Sequence, residues 1–122
     1  MRLLLALLLV VAAGTASAQD LKRGRTVFTR CIACHSLEAE RSPAPGPSLI
    51  GVVGRAAAAL PDFEYSPALV EAGRRGLVWT EEALDRFVAD TEAFLPGTVM
   101  GFLRSPDAAD RRALVELIKS AR

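Results

Sequence analysis

The chain has 122 residues, of which 51% are hydrophobic, 24% are charged and two are cysteines. This length suits one small domain, and the composition excludes both a disordered chain and a small fold built on several disulfides, since two cysteines close one bridge at most. The charges nearly balance, with 15 basic and 14 acidic side chains. Because nucleic-acid-binding proteins usually carry a basic excess, we expect no nucleic-acid partner.

The first 18 residues have the pattern of a secretory signal peptide. The positive residue Arg2 precedes 11 consecutive apolar residues, Leu3 to Ala13, and small residues follow at positions 16–18. A membrane anchor is the alternative reading, but a helix needs about 20 apolar residues to span a bilayer. We therefore expect a signal peptide at 1–18, cleavage after Ala18, and one soluble domain at 19–122 that is exported to the periplasm.

The segment after the signal peptide is predicted to begin with a helix and continue as a long loop. Asp20 can cap a helix that runs to about Ala33. Gly24 inside this helix costs about 1 kcal/mol relative to alanine, so we expect another element to pack close to the backbone there. Residues 36–66 are rich in proline and glycine and show no sustained period, which indicates a long connection.

Three further helices are predicted, and no strand pattern stands out. A short helix begins at Pro67 and ends near Gly73, and another follows Thr80 as its cap. The last helix is predicted to start with Ser105 as its cap and Pro106 as its first residue. Its apolar stripe is formed by Leu114, Val115, Leu117 and Ile118. The predicted fold class is all-α with long loops.

Cys31-Ile32-Ala33-Cys34-His35 is the motif that carries the most chemical information. In an exported protein, a Cys-x-x-Cys-His sequence is typical of covalent haem attachment. Two thiols on or near one helical turn can reach the two vinyl groups of a porphyrin, and the histidine that follows then lies under the iron. We predict one haem c, attached through Cys31 and Cys34, with His35 as an iron ligand.

Three other uses of this motif have weaker support. A thioredoxin-like site needs a preceding strand in a βαβ unit, whereas a helix is predicted there. A zinc site needs four ligands, but the chain offers two cysteines and a single histidine. A structural disulfide that closes so small a loop would add little stability.

Met100 is the best candidate for the second axial ligand of the iron. The chain has no second histidine, its other methionine belongs to the signal peptide, and both lysines lie on predicted terminal helices. A neutral sulfur ligand suits haem iron. The alternative is that Met100 fills the core, as methionines usually do. However, it lies in a segment with proline and glycine, residues 95–102, and not in a helical stripe.

These features, with Gly24 and Phe28 ahead of the motif, resemble a small class I cytochrome c with histidine and methionine ligation. The resemblance covers essentially all of the chain after residue 18. It implies a cytochrome c-like fold, in which three to five helices and long loops wrap one covalently bound haem. It also implies that the carboxy-terminal helix crosses Gly24 closely.

The resemblance also assigns further residues to the haem site. Pro47 matches a proline whose carbonyl accepts the other N–H of the ligand histidine, which would orient His35 and raise its basicity toward iron. The residues that match donors to the haem propionates or their surroundings are Arg55, Tyr65 and Trp79.

The segment before Met100 resembles the family's methionine loop, with Thr98 two residues ahead of the ligand and Phe102 as the aromatic residue at the exposed haem edge. The chain departs from the mitochondrial pattern in two places. Three extra residues lie between Tyr65 and Trp79, so the matching of residues 66–78 stays open. The lysine ring around the haem edge is absent.

The resemblance implies a soluble electron carrier of a respiratory or photosynthetic chain, and not an enzyme, because iron with two protein ligands has no open position for oxygen or peroxide. The expected partners of this monomer are a quinol-oxidising complex, a terminal oxidase, a photosynthetic centre or a periplasmic dehydrogenase, with transient contact to membrane complexes. Two alternatives remain. One is a five-coordinate haem protein, either a gas sensor or a peroxidase-like enzyme, in which Met100 is not bound. The other is a thiol–disulfide protein without haem.

Overall fold

The structure, a computed structural model, describes residues 16–38, 45–101 and 103–122. These residues form five helices: α1 (Ala18–Phe28), α2 (Pro67–Arg74), α3 (Glu81–Ala89), α4 (Thr91–Phe94) and α5 (Ala108–Ser120). The described part contains two isolated β-bridges and no strand, so the all-α prediction is confirmed. Within these ranges, no helix is both long and apolar enough to cross a bilayer. Most of the predicted signal peptide, and Phe102, lie outside the described residues.

α1 and α5 cross at Gly24. A Cβ atom built on this buried glycine would overlap the carbonyl oxygen of Ala113 and lie 2.9 Å from the Cβ of Leu117. Only a residue without a side chain allows the two backbones to approach so closely. The close packing predicted for Gly24 is therefore present, and α5 is the element responsible for it.

The core lies mainly between α1, α3 and α5. The apolar stripe predicted on α5 is buried throughout, and α3 contributes Leu84, Phe87 and Val88. Trp79, just before α3, packs on Phe87 with 5.1 Å between ring centroids, in the range where aromatic pairs attract. The core thus packs α1 and α5, which lie near the two ends of the described chain, against α3.

The predicted bounds of the first helix are wrong in detail. α1 begins at Ala18, because the hydroxyl of Ser17 accepts the N–H of Asp20 at 3.1 Å. Ser17 is the N-cap in this chain, and Asp20 lies in the first turn, where its charge favours the helix dipole. The helix ends at Phe28, and the following residues, up to Cys34, form turns.

The starts of α2 and α3 agree with the prediction, since Pro67 is the first residue of α2 and Thr80 caps α3. The start of the last helix differs from the prediction. Asp107, not Ser105, is the N-cap of α5, and its carboxylate accepts the N–H of Asp110 at 2.9 Å. The short helix α4 was not predicted, because four residues are too few to show a helical period.

Replacing Gly24 with alanine should lower the free energy of unfolding by about 2 kcal/mol, because overpacking at the crossing outweighs the better helix propensity of alanine. Urea denaturation of the purified holoprotein measures this change. Arg25→Ala, on the exposed face of the same helix, is the control and should change the stability by less than about 0.5 kcal/mol. A Gly24→Ala protein as stable as the control would contradict the close crossing.

Candidate haem site

The cysteine motif lies on one turn directly after α1. The backbone N–H groups of Cys34 and His35 both donate to the carbonyl oxygen of Cys31, at 3.1 and 2.8 Å. Residues three and four apart on such a turn are neighbours, so both thiols and the imidazole start from the same side of the chain. The two cysteines are not joined to each other by a disulfide. The turn therefore has the geometry that attachment of one planar group through two thioethers requires.

The imidazole of His35 is oriented by the loop that carries Pro47. Its Nδ1 lies 2.8 Å from the carbonyl oxygen of Pro47. Since a carbonyl can only accept, Nδ1 carries the proton, and Nε2 keeps a lone pair that can bind a metal. Gly46 packs on the same ring, because a Cβ built there would lie 2.6 Å from His35 Cε1. The protein's own contacts thus hold the ring in one tautomer and one orientation.

The thiol of Cys31 lies in an apolar environment. It is half-buried and borders a small cavity lined by residues that include Val27, Leu103 and Leu114. Burial raises the pKa of the Cys31 thiol above its ordinary value, and the smaller effect of Arg30 opposes this. Cysteines that exchange disulfides have a lowered pKa and are present as thiolates. Cys31 therefore lacks the lowered pKa that is typical of such cysteines.

Arg55 fastens the loop that carries Pro47. Its guanidinium donates to the carbonyl oxygens of Ser48 and Ile50, both at 3.1 Å. These two carbonyls lie within three residues of Pro47, so Arg55 stabilises the loop conformation that orients His35.

Trp79 lies against Arg55, whereas Tyr65 contacts neighbours in its own loop. Trp79 is buried, and its backbone N–H donates to the carbonyl of Arg55 at 2.9 Å, so these two predicted site residues are brought together. The hydroxyl of Tyr65 accepts the N–H of Leu60 at 3.3 Å, and its ring packs edge-on against Phe63. These contacts hold Tyr65 within its own loop.

Met100 lies on an exposed loop and outside the buried core. Its side chain is 39% exposed, and that of Val99 is 79% exposed. The N–H of Met100 donates to the hydroxyl of Thr98 at 3.4 Å. Met100 is therefore not one of the buried core residues. In the described residues, no hydrogen bond joins Met100 directly to the motif turn.

The motif turn and the chain after Met100 are instead linked through Arg30. Its guanidinium donates to the carbonyl oxygen of Arg104 at 3.2 Å. Arg30 immediately precedes Cys31, so this contact ties the start of the motif to the segment that follows the predicted methionine ligand.

Two residues that shape the site were not identified from the sequence. Gly46 packs on His35, and a glycine directly before Pro47 was the available signal for a close approach. Thr91 is completely buried, and its hydroxyl contacts the chain beyond Met100. The only signal for it was the Asp-Thr-Glu sequence at 90–92, which is typical of a helix start.

The donors present fit a covalently held haem better than a bare metal ion. The chain supplies two thiols on one turn, an imidazole with its Nε2 free, and a thioether on an exposed loop. Over the described ranges, no group of three or more His, Cys, Asp or Glu side chains could hold a metal ion. A zinc site is therefore not supported.

Comparison with known proteins agrees with this geometry. The family model of cytochrome c matches residues 21–122. Cytochrome c2 of Afifella marina is 38% identical over 99 residues, which cover 80% of this chain and 78% of that protein. Cytochrome c2 iso-2 of Magnetospirillum molischianum is 40% identical over 76% of this chain and 92% of its own length.

Solved structures show the same fold. The structure of cytochrome c2 from Rhodospirillum centenum superposes with a TM-score of 0.77 at 31% identity, over 84% of this chain and 98% of that one. The helices and long loops described above are thus arranged as in a cytochrome c. The paired cysteines hold one covalently bound haem c, and the chain belongs to the cytochrome c family.

Proposed function

We propose that the protein is a soluble carrier of single electrons, with His35 and Met100 as the axial ligands of the haem iron. The observation that carries the proposal is the 2.8 Å contact between His35 Nδ1 and the carbonyl of Pro47, because it occupies Nδ1 and leaves Nε2 as the ring nitrogen that can bind iron, on the same turn as the two cysteines. The place of Met100 on a loop outside the buried core supports the second ligand.

When bound, the haem supplies an iron that alternates between the ferric and ferrous states and so takes up or releases one electron. Cys31 and Cys34 anchor it at one edge. The Pro47 carbonyl keeps the proton on His35 Nδ1 and makes the imidazole a better donor. A thioether at position 100 is a soft, neutral ligand that stabilises the ferrous state. With His35 and Met100 both holding the iron, oxygen and peroxide would have no site to bind, so the protein would transfer electrons without catalysing a reaction.

The proposed docking face contains exposed apolar side chains beside the site. Ile32, within the motif, is 60% exposed, and Val99, next to Met100, is 79% exposed. Ala33 belongs to the same face, and Phe102, which the resemblance adds to it, lies outside the described residues. An apolar patch of this kind suits a small and weak interface from which each partner is released quickly.

The partners proposed for this face are a quinol-oxidising complex as electron donor and a terminal oxidase, photosynthetic centre or periplasmic dehydrogenase as the other partner. Without residues 1–18 the chain carries 14 basic and 14 acidic side chains. Two haem propionates then make the holoprotein slightly acidic. Strong electrostatic steering toward an acidic partner is therefore not expected, and association rates should depend only weakly on salt.

Export to the periplasm with cleavage after Ala18 is part of the proposal. Cleavage there removes Ser17, which caps α1 in the full chain, and Asp20 becomes the first side chain that can cap the shortened helix. The intact mass of the purified protein checks this: the expected value is that of residues 19–122 plus one haem. A mass that includes residues 1–18 would show an uncleaved anchor instead.

The absorption spectrum of the ferric holoprotein tests the proposed ligation. We expect the weak red charge-transfer band from sulfur to iron in the wild-type protein and its complete loss in Met100→Ala. The matched control is Val99→Ala, one residue away on the same loop and 79% exposed, which should keep the band.

The five-coordinate alternative gives the opposite result. A wild-type protein that lacks the band, and that binds carbon monoxide in the ferrous state as readily as Met100→Ala does, would be a five-coordinate haem protein. The electron-carrier proposal would then be wrong in its second ligand.

A further inference from the structure

Thr91 is the most completely buried polar residue of the described chain, with 0% of its surface exposed. Its hydroxyl donates to the carbonyl oxygen of Gly101 at 2.8 Å and accepts the N–H of Leu103 at 3.1 Å. Its backbone N–H also donates to the carbonyl of Leu103 at 3.2 Å. One residue at the start of α4 thus binds the chain on both sides of position 102.

These bonds belong to a short antiparallel contact between two segments. Asp90 and Arg104 form a β-bridge, and their side chains form an ion pair with 3.1 Å between Nε and Oδ2. The N–H of Ser105 donates to the carbonyl of Val88 at 3.1 Å. The segment that returns from Met100 to the core, which we call the return segment (Gly101 and residues 103–105), is therefore fixed along the end of α3 and the start of α4.

Within the return segment, the bond from Thr91 is the one closest to the proposed ligand. Gly101 directly follows Met100, whereas the bonds of residues 104 and 105 are farther along the chain. On the other side, the contact between Met100 N–H and Thr98 is long, at 3.4 Å, and lies within an exposed loop. The amino side of the loop is also tied to α4, since the N–H of Gly97 donates to the carboxylate of Glu92 at 3.2 Å, but Gly101 is the tied residue that adjoins Met100.

Given the proposed function, on which this inference rests, we propose that Thr91 is a positioning residue for Met100, whose hydroxyl favours the methionine-bound form of the ferric protein over the form open to external ligands. Without the hydroxyl, the carbonyl of Gly101 and the N–H of the half-buried Leu103 lose the partner that ties them to the fully buried Thr91. Releasing the loop to water restores their hydrogen bonds, so the methionine-free form becomes relatively more favourable.

Titration of the ferric holoprotein with imidazole, followed by the red charge-transfer band, tests the inference. Thr91→Val keeps the branched shape and removes the hydroxyl, and it should bind imidazole roughly tenfold more tightly than the wild type, a factor equivalent to about 1.4 kcal/mol. Thr91→Ser keeps the hydroxyl and should stay within about twofold of the wild type.

The matched control is Thr80→Val, which makes the same change of atoms at the cap of α3, where the hydroxyl accepts the N–H of Ala83 at 3.0 Å. This variant should lose global stability in urea, as Thr91→Val does, but should keep the wild-type affinity for imidazole. If Thr91→Val does not accumulate as a folded holoprotein, Thr91→Ala can be compared with Thr91→Ser. This pair also differs by the hydroxyl oxygen, and Thr91→Ala should bind imidazole roughly tenfold more tightly than Thr91→Ser.

Two results would overturn the inference. One is an imidazole affinity in Thr91→Val, or in Thr91→Ala, that equals that of the wild type. The other is an equal gain in Thr80→Val, which would assign the effect to general loss of stability. A wild-type protein without the charge-transfer band is a different failure, because it removes Met100 as a ligand and refutes the proposed function itself.

Discussion

The close crossing of α1 and α5 at Gly24 is the contact on which the haem site depends. Phe28, one turn beyond Gly24, is buried in the same core, and the N–H of Cys31 donates to the carbonyl of Phe28 at 2.8 Å. The turn that carries the cysteine motif (residues 31–35) therefore leaves α1 in a direction that the crossing determines. Because α1 and α5 lie near opposite ends of the described chain, the segment between them starts and ends at the crossing. It encloses a space that another group has to occupy.

The chain fastens the two ligand-bearing segments to this core by different means. His35 is held by its own turn and by the Pro47 loop, to which Arg55 adds two hydrogen bonds. Beyond Met100, Arg111 donates to the carbonyls of Ser105 and Pro106 at 2.8 and 2.9 Å and pairs with Asp85. The histidine side is thus a rigid support. The methionine side is a loop anchored through its return segment.

The sequence predicted most of the fold because the relevant signals are local. Pro67 and Thr80 marked helix starts through capping, and the stripe on α5 followed from its period. The caps of α1 and α5 were missed because several polar residues compete there within three positions, and tertiary packing decides between them. The motif at 31–35 was sufficient to predict the haem, because its five residues are contiguous and their spacing alone carries the signal.

Other parts of the site could not be predicted from the sequence, since they depend on contacts between distant segments. The hydroxyl of Thr91 bonds to residues ten and twelve positions away, and the local Asp-Thr-Glu sequence indicates a helix start but not a buried threonine. Likewise, Arg30 contacts Arg104, 74 positions along the chain. Such contacts join segments that are distant in sequence, so local patterns do not predict them.

X-ray absorption at the iron edge, measured on the ferric and the ferrous holoprotein, tests the proposed ligation most directly. Five nitrogen neighbours and one sulfur neighbour in both oxidation states, with little change in distance between them, are the result expected for an electron carrier bound by His35 and Met100. A site without sulfur, or one that loses a ligand on reduction, would contradict this ligation and favour a protein that binds external ligands.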